Sequence, residues 1–306
     1  MAQINFEELS EVKIWDLAFT SELQAIRWSQ NYGLIMADPI CNSNKHHHRP
    51  MSLVLDSNTL IESYRFRCSK KNCRKEIPLR RGSFFQFSHL PISKLIKFMY
   101  AWAYDLFLHK DFCRELELSK KTVVDWCNFH RDICTDHFER HPILLGGPGS
   151  VVEIDETCFG NRKYNVGRRV HQKWVFGGYD VENKVGFLVE VNDRSKWTLE
   201  ALIRQYIHPG SLAVTDGWAS YADLDELGYN HIWVNHKEHF VDPDTGACTN
   251  HVESMWQKCK HAHKQRFGTA RKYLQTYLDD FMWRQRYKDD PFRHIVEHIV
   301  EKYTPN

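Results

Sequence analysis

Ser-Val-Val-Glu-Ile-Asp-Glu-Thr (residues 150–157) is the stretch on which the fold turns. Val151, Val152 and Ile154 make a short apolar run that ends among acids and reads as a buried strand. Along a strand Glu153 shares the face of Asp155, and Glu156 points the other way. A carboxylate at the end of a core strand is costly to bury unless a cation or a donor meets it. Ser-Leu-Ala-Val-Thr-Asp-Gly (211–217) repeats the arrangement and ends on Asp216. Thr-Asn-His-Val-Glu-Ser-Met-Trp (249–256) supplies a third acid, Glu253, where a helical pattern opens. Two strand ends and a helix bringing acids together would make a hard, oxygen-rich site suited to Mg²⁺ or Mn²⁺. That chemistry serves in-line phosphoryl transfer on a nucleic-acid backbone. The competing reading is that some of these acids cap loops at a sheet edge.

Outward from residue 150 the order is legible. His-Pro-Ile-Leu-Leu-Gly-Gly-Pro-Gly-Ser (141–150) is rich in breakers and reads as a domain boundary. After it come strands over 150–157, 173–180 and 185–191, with Asp180–Asn183 as turn residues. A helix is expected over 197–207, a strand over 211–215, a helix near 218–227, a strand over 231–236 and a helix from Asn250. Two more helices are expected within 270–301. This β-β-β-α-β-α-β-α order is that of an RNase H-like α+β or α/β fold, a mixed sheet flanked by helices. Before the boundary, helices are expected over 20–36, 91–108, 111–117 and 119–137, while residues 37–90 have little periodicity. The segment from Asp111 to Cys134 is either a helix-turn-helix or a three-helix packing unit. The expected organisation is therefore an N-terminal helix and degenerate zinc-ribbon region (1–90), a helical region (91–145), a catalytic domain (146–287) and a C-terminal helix and tail (288–306).

The chain has 306 residues, 42% of them hydrophobic and 26% charged, with a net charge of +2. That balance does not by itself announce a nucleic-acid binder. Local charge is more telling. Eight basic residues, among them Arg67, Lys70, Lys71 and Arg74, fall between Arg65 and Arg81 against the single acid Glu76. Arg162, Lys163, Arg168, Arg169 and Lys173 form a second cluster, and a third over 257–278 includes Lys258 and Lys260. Three such clusters around a carboxylate site suggest faces that track phosphates. For each cluster alone, solvated surface is the competing reading. Nine cysteines, an odd number without a regular framework, fit a reducing compartment. No signal peptide is visible, and the most apolar stretch, 92–108, carries Lys94, Lys97 and Asp105. The expected setting is the nucleus of a eukaryote or otherwise the cytoplasm, away from any membrane.

Five strings stand in order along the chain, within a resemblance that covers about residues 40–287: Val-Glu-Ile-Asp-Glu-Thr (152–157), Val-Thr-Asp-Gly-Trp-Ala-Ser-Tyr (214–221), Val-Asn-His (234–236), Thr-Asn-His-Val-Glu-Ser-Met-Trp (249–256) and Tyr-Leu-Asp-Asp-Phe-Met-Trp-Arg (277–284). They resemble the Merlin-type DNA transposases and related bacterial insertion-sequence transposases. The resemblance implies a DDE core with Asp155, Asp216 and Glu253 as its catalytic triad and as ligands of two Mg²⁺ or Mn²⁺. It implies double-stranded DNA as partner, both transposon ends and target, and a homo-oligomer assembled on it. It also implies an N-terminal zinc ribbon. Cys68 and Cys73 fit the second cysteine pair, whereas Cys41 lacks a partner cysteine. One of His46, His47 or His48 would complete a Cys₃His site, and His46 is the first candidate. The alternative is a loop with three free thiols. The function so implied is metal-dependent cleavage and strand transfer of an element with terminal inverted repeats. The alternatives are a transposon-derived DNA-binding protein that no longer cuts and a structure-selective RNase H-like nuclease.

Overall fold

The computed structural model describes residues 4–43, 47–56, 63–160, 172–234, 246–266 and 270–305. The chain divides into two compact units, one of residues 1–133 with 287–306 and one of residues 134–286.

The second unit holds a five-stranded mixed sheet. β5 (Val151–Phe159), β6 (Lys173–Asp180) and β7 (Val185–Val191) form an antiparallel meander, as the turn residues at 180–183 predict. α5 (Lys196–Tyr206) then crosses to β8 (Leu212–Thr215), which lies parallel to β5, and β9 (Asn230–Trp233) lies parallel to β8. The order β7-β6-β5-β8-β9 puts β5 in the middle, and it is the strand order of an RNase H-like fold. α6 (Asn250–Gln265) and α7 (Leu274–Arg286) follow. The core is built from Val152, Ile154, Phe176, Phe187 and Ala213 of the strands with Leu199 and Ile203 of α5 and Val252 and Trp256 of α6.

Strand alternation places helices on both faces. Asp155 pairs with Gly177 and Ile154 with Gly178. Trp256 of α6 lies across Gly177, where an added Cβ would sit 2.7 Å from the ring. On the opposite face Phe187 lies across Gly178 and stacks on Tyr206 of α5, with ring centroids 4.5 Å apart. One expected element differs. Residues 218–227 form a short 3₁₀ turn (Ala219–Tyr221) and further turns instead of an α-helix. Their backbone bonds close three residues back, from Tyr221 to Trp218 and from Leu224 to Tyr221, which buries Tyr221 and Leu224 in the core.

The first unit contains α1 (Glu22–Asn31), a four-stranded antiparallel sheet of β1 (Ile40–Ser43), β2 (His47–Asp56), β3 (Ser63–Cys68) and β4 (Glu76–Pro78), then α2 (Ile92–Ala103), α3 (His109–Glu115), the larger part of α4 (Lys120–Arg140) and α8 (Pro291–Lys302). The sheet falls where the sequence has little periodicity. Ile40 and Leu55 are exposed, and thiols at Cys41 and Cys68 take buried positions that aliphatic side chains would otherwise mark. The helices meet in an aromatic cluster in which His130 lies against Phe98 and Trp102 and its Nδ1 is 2.7 Å from the Trp126 carbonyl. No described helix is long and apolar enough to cross a membrane.

Candidate active site

α6 is docked on β5 by a ladder of polar contacts with the strand's own period. Glu153, 2% exposed, accepts from the amides of His251 (2.7 Å) and Val252 (2.9 Å) and lies 2.6 Å from His251 Nδ1. A buried carboxylate thus satisfies amides that open a helix, where the helix dipole also favours negative charge. Two residues on, Asp155 Oδ2 accepts from Trp256 Nε1 at 3.0 Å. Two further on, Thr157 Oγ1 accepts from Lys260 Nζ. Residues 153, 155 and 157 share one strand face, and their partners climb the helix turn by turn. Trp256 is buried in the core, and it also orients Asp155, a second role that the pairing of Gly177 with Asp155 makes visible.

Asp155 lies in a field of like charge. Burial first, and then the charges of Glu156, Asp216 and Glu253, push its carboxyl up to about 7, against an opposing Glu156 amide bond. Glu156 is raised as well, chiefly by burial, although the Tyr221 hydroxyl donates to its Oε1 at 2.5 Å and Arg194 lies near enough to favour its charge. Tyr221 is raised far above its usual range by its burial beside these acids. Asp216 follows the end of β8, and its Oδ1 accepts from the Trp218 amide at 3.0 Å. Glu253 stands in the first turn of α6, with Thr249 Oγ1 3.2 Å from its Oε1. The fold brings the three acids within electrostatic reach of one another. It does not draw their oxygens into a cluster within 4.8 Å. The donor set is all oxygen, with Asp155 and Glu253 half-buried and Asp216 exposed, and a divalent cation relieves repulsion among such acids.

Lys260 and Lys258 leave α6 in different directions. Lys260 reaches into the site beside Thr157, its pKa lowered by burial despite the Asp155 charge. Lys258 lines a separate cleft of about 100 Å³ with Tyr179, Lys184 and His251. Asp242, Asp244 and the cluster from Arg162 to Arg169 lie outside the described residues.

In the first unit Cys41, Cys68 and Cys73 do meet, with their sulfurs within 4.8 Å of one another and Cys41 Sγ 3.6 Å from Cys73 Sγ. The turn at 69–75 that returns Cys73 to Cys68 uses left-handed backbone at Asn72 and Arg74. The Lys75 amide and then the Ser43 hydroxyl lower the Cys73 thiol to about 6, which favours the thiolate that a soft metal takes. His46 lies outside the described residues. Arg67 is paired with Glu76 (2.6 Å), as is Arg65, whereas Lys70, Lys71 and Arg74 are exposed on the turn. Arg80 is spent on the carbonyls of Ser88 and Leu90.

Strand order, a central acidic strand and a docked helix define the class, an RNase H-like fold of the kind that carries DDE chemistry. Residues 144–286 match the ISXO2-like transposase domain. A transposase-like protein of Haemophilus influenzae is 30% identical over 99 residues, 32% of this chain and 78% of the relative. The chain belongs to the ISXO2-like transposase family. It is also 26% identical over 236 residues to the male abnormal protein mab-31 of Caenorhabditis elegans, 69% of this chain and about half, 52%, of that relative's length. Among solved structures, the HTLV-2 integrase catalytic core domain in complex with magnesium is 11% identical with a TM-score of 0.31, covering 45% of this chain and 86% of that one. A simian T-cell lymphotropic virus intasome is 12% identical with a TM-score of 0.30, covering 61% and 67%.

Proposed function

We propose that the chain is a metal-dependent DNA transposase that cleaves and rejoins an element with terminal inverted repeats. One observation carries the reading: Asp155, oriented by Trp256 on the central strand, is charged only at the expense of repulsion from Glu156, Asp216 and Glu253. Asp155, Asp216 and Glu253 would hold two Mg²⁺ or Mn²⁺. When bound, the ions supply Lewis acidity to the attacking hydroxyl or water and to the leaving 3′-oxygen. The chain's own groups do the positioning. Trp256 fixes Asp155, the Glu153 cap fixes the start of α6 and with it Glu253, and Lys260 offers a cation to a neighbouring phosphate. Cys41, Cys68, Cys73 and His46 would hold one zinc that fixes the small sheet, and Lys70, Lys71 and Arg74 on its turn would track double-stranded DNA. The working form would be a homo-oligomer on DNA, in the nucleus or cytoplasm according to host.

Nicking of supercoiled plasmid and joining of oligonucleotide ends, with Mg²⁺ or Mn²⁺ supplied, test the reading. Metal-dependent joining that Asp155→Asn abolishes is the expected result. Cutting without joining would mean a nuclease. Binding without cutting would mean a transposon-derived DNA-binding protein, a reading favoured by the separation of the three carboxylates.

A further inference from the structure

Large aromatic rings flank Asp216 at the surface. Trp218, two residues after it, is 44% exposed, and Trp233, the last residue of β9, is 57% exposed. The Trp233 ring lies on the backbone of Gly217, where an added Cβ would meet it at 2.8 Å, and Gly217 has a φ of +75°. One indole thus packs on the Asp216–Gly217 turn, and the other follows that turn directly in the chain. Burial does not account for them, since each leaves about half its surface in water. Trp218 is held in place from beside. The Arg194 guanidinium lies 3.6 Å from the Trp174 ring centroid and 4.9 Å from that of Trp218. The Arg194 carbonyl accepts from Ser220 Oγ, which ties the two loops together. Among the described residues Arg194 has no carboxylate at salt-bridge distance, so its donor fork is available. Flat apolar faces beside an available guanidinium, at the edge of a carboxylate site, match a nucleobase and its phosphate.

We propose that Trp218, Trp233 and Arg194 form a stacking site for an unpaired nucleobase of the DNA strand whose phosphate is presented to Asp155 and Asp216. The proposal rests on the reading of this site as one that cuts DNA, and it adds what that reading does not contain, a preference for an unstacked base beside the cut. In a duplex each base face is covered by its neighbours. An indole can cover a base only where the strand is open, at an end or at an extruded nucleotide. Arg194, backed by Trp174, would meet the phosphate of that nucleotide and keep Trp218 from rotating away.

The test uses the full chain, Ca²⁺ in place of a cleavage-supporting ion, and fluorescein-labelled 20-nucleotide oligothymidylate against a blunt duplex of the same length. The wild-type chain is expected to bind the single strand with quenching of its tryptophan fluorescence. Trp218→Ala and Trp233→Ala are each expected to weaken single-strand binding about tenfold and duplex binding less than twofold. Trp218→Phe and Trp233→Phe, which keep a stacking face, should retain most of the affinity and guard against misfolding as the cause. No binding of the single strand, or equal losses on both probes, overturns the proposal. So does unchanged strand binding with lost self-association, which would make the indoles a contact between copies. The underlying reading fails separately: a wild-type chain that binds oligothymidylate through both indoles and yet nicks no plasmid with Mg²⁺ or Mn²⁺ is a strand binder without cleavage.

Discussion

The carboxylates around Asp155 and the thiols around Cys41 are both candidate metal sites, and they are prepared differently. Cys41, Cys68 and Cys73 already converge, held by the pairing of β1 with β2, of β2 with β3, and by a tight turn. With the proposed fourth ligand such a cluster would be a closed, structural arrangement. Asp155, Asp216 and Glu253 come from a central strand, a strand-end loop and a helix. Their oxygens stay apart, and Asp155 retains its proton to about neutral pH. An open set of hard ligands suits ions that arrive with substrate, because a site already collapsed on its metal leaves no room for a phosphate.

The largest expected effect breaks the comparison on the carboxylate side. Asp155→Asn and Asp216→Asn should each lower plasmid nicking by about a thousandfold or more, since a lost ligand removes several kcal/mol of charge stabilisation. Glu253→Gln should do the same while Asp242→Asn and Asp244→Asn remain active. A dead Asp244→Asn beside a normal Glu253→Gln would make Asp244 the third ligand.

On the thiol side, one zinc per chain is expected by elemental analysis. Cys68→Ser or Cys73→Ser should lose it and destabilise the first unit, measured by protease resistance, with folding free energy lost along with the metal. Native-like resistance after chelation would show three free thiols instead.

Gly177→Ala tests how tightly the carboxylate side is positioned. The added methyl would meet the Trp256 ring at 2.7 Å, so the ring must move and Asp155 loses its donor. A cost of about 1–3 kcal/mol in stability is expected. Nicking should fall about a hundredfold, the size that a 1 Å misplacement can cause. Unchanged nicking would mean that Trp256 only fills space.

The smallest effect is a pH dependence. Asp155 titrates near 7 in the folded chain and ordinarily at 3.8, so between those values the folded state holds a proton that the unfolded state has lost. Metal-free stability should therefore fall as pH rises from about 4 to about 7, and Asp155→Asn should flatten that fall. Added Mg²⁺ or Mn²⁺ should raise the melting temperature more at pH 8 than at pH 6. Equal slopes for the variant and the wild-type chain would remove Asp155 as the source.

The meander at 173–191 was legible in the sequence because its strands are short apolar runs with turn residues between them. The small sheet over 40–78 was not, because its buried positions include thiols and several of its apolar residues face water. The 218–227 segment was read as a helix but is closed by tighter turns, with Tyr221 and Leu224 buried.

Local pattern alone determined the succession of strands over residues 150–233 and the acids they carry, since strand period and turn residues are properties of neighbours in the chain; Asp155, expected at a strand end, lies in the middle of β5, and only Asp216 follows one. Only the tertiary structure decided what each acid does. Glu153 and Asp155 share one strand face and one functional group, a carboxylate. The docking of α6 makes the first a buried helix cap and leaves the second under the repulsion of three acids, with Trp256 as its donor. That distinction depends on residues about a hundred positions away, brought opposite by packing, and no window of sequence contains it.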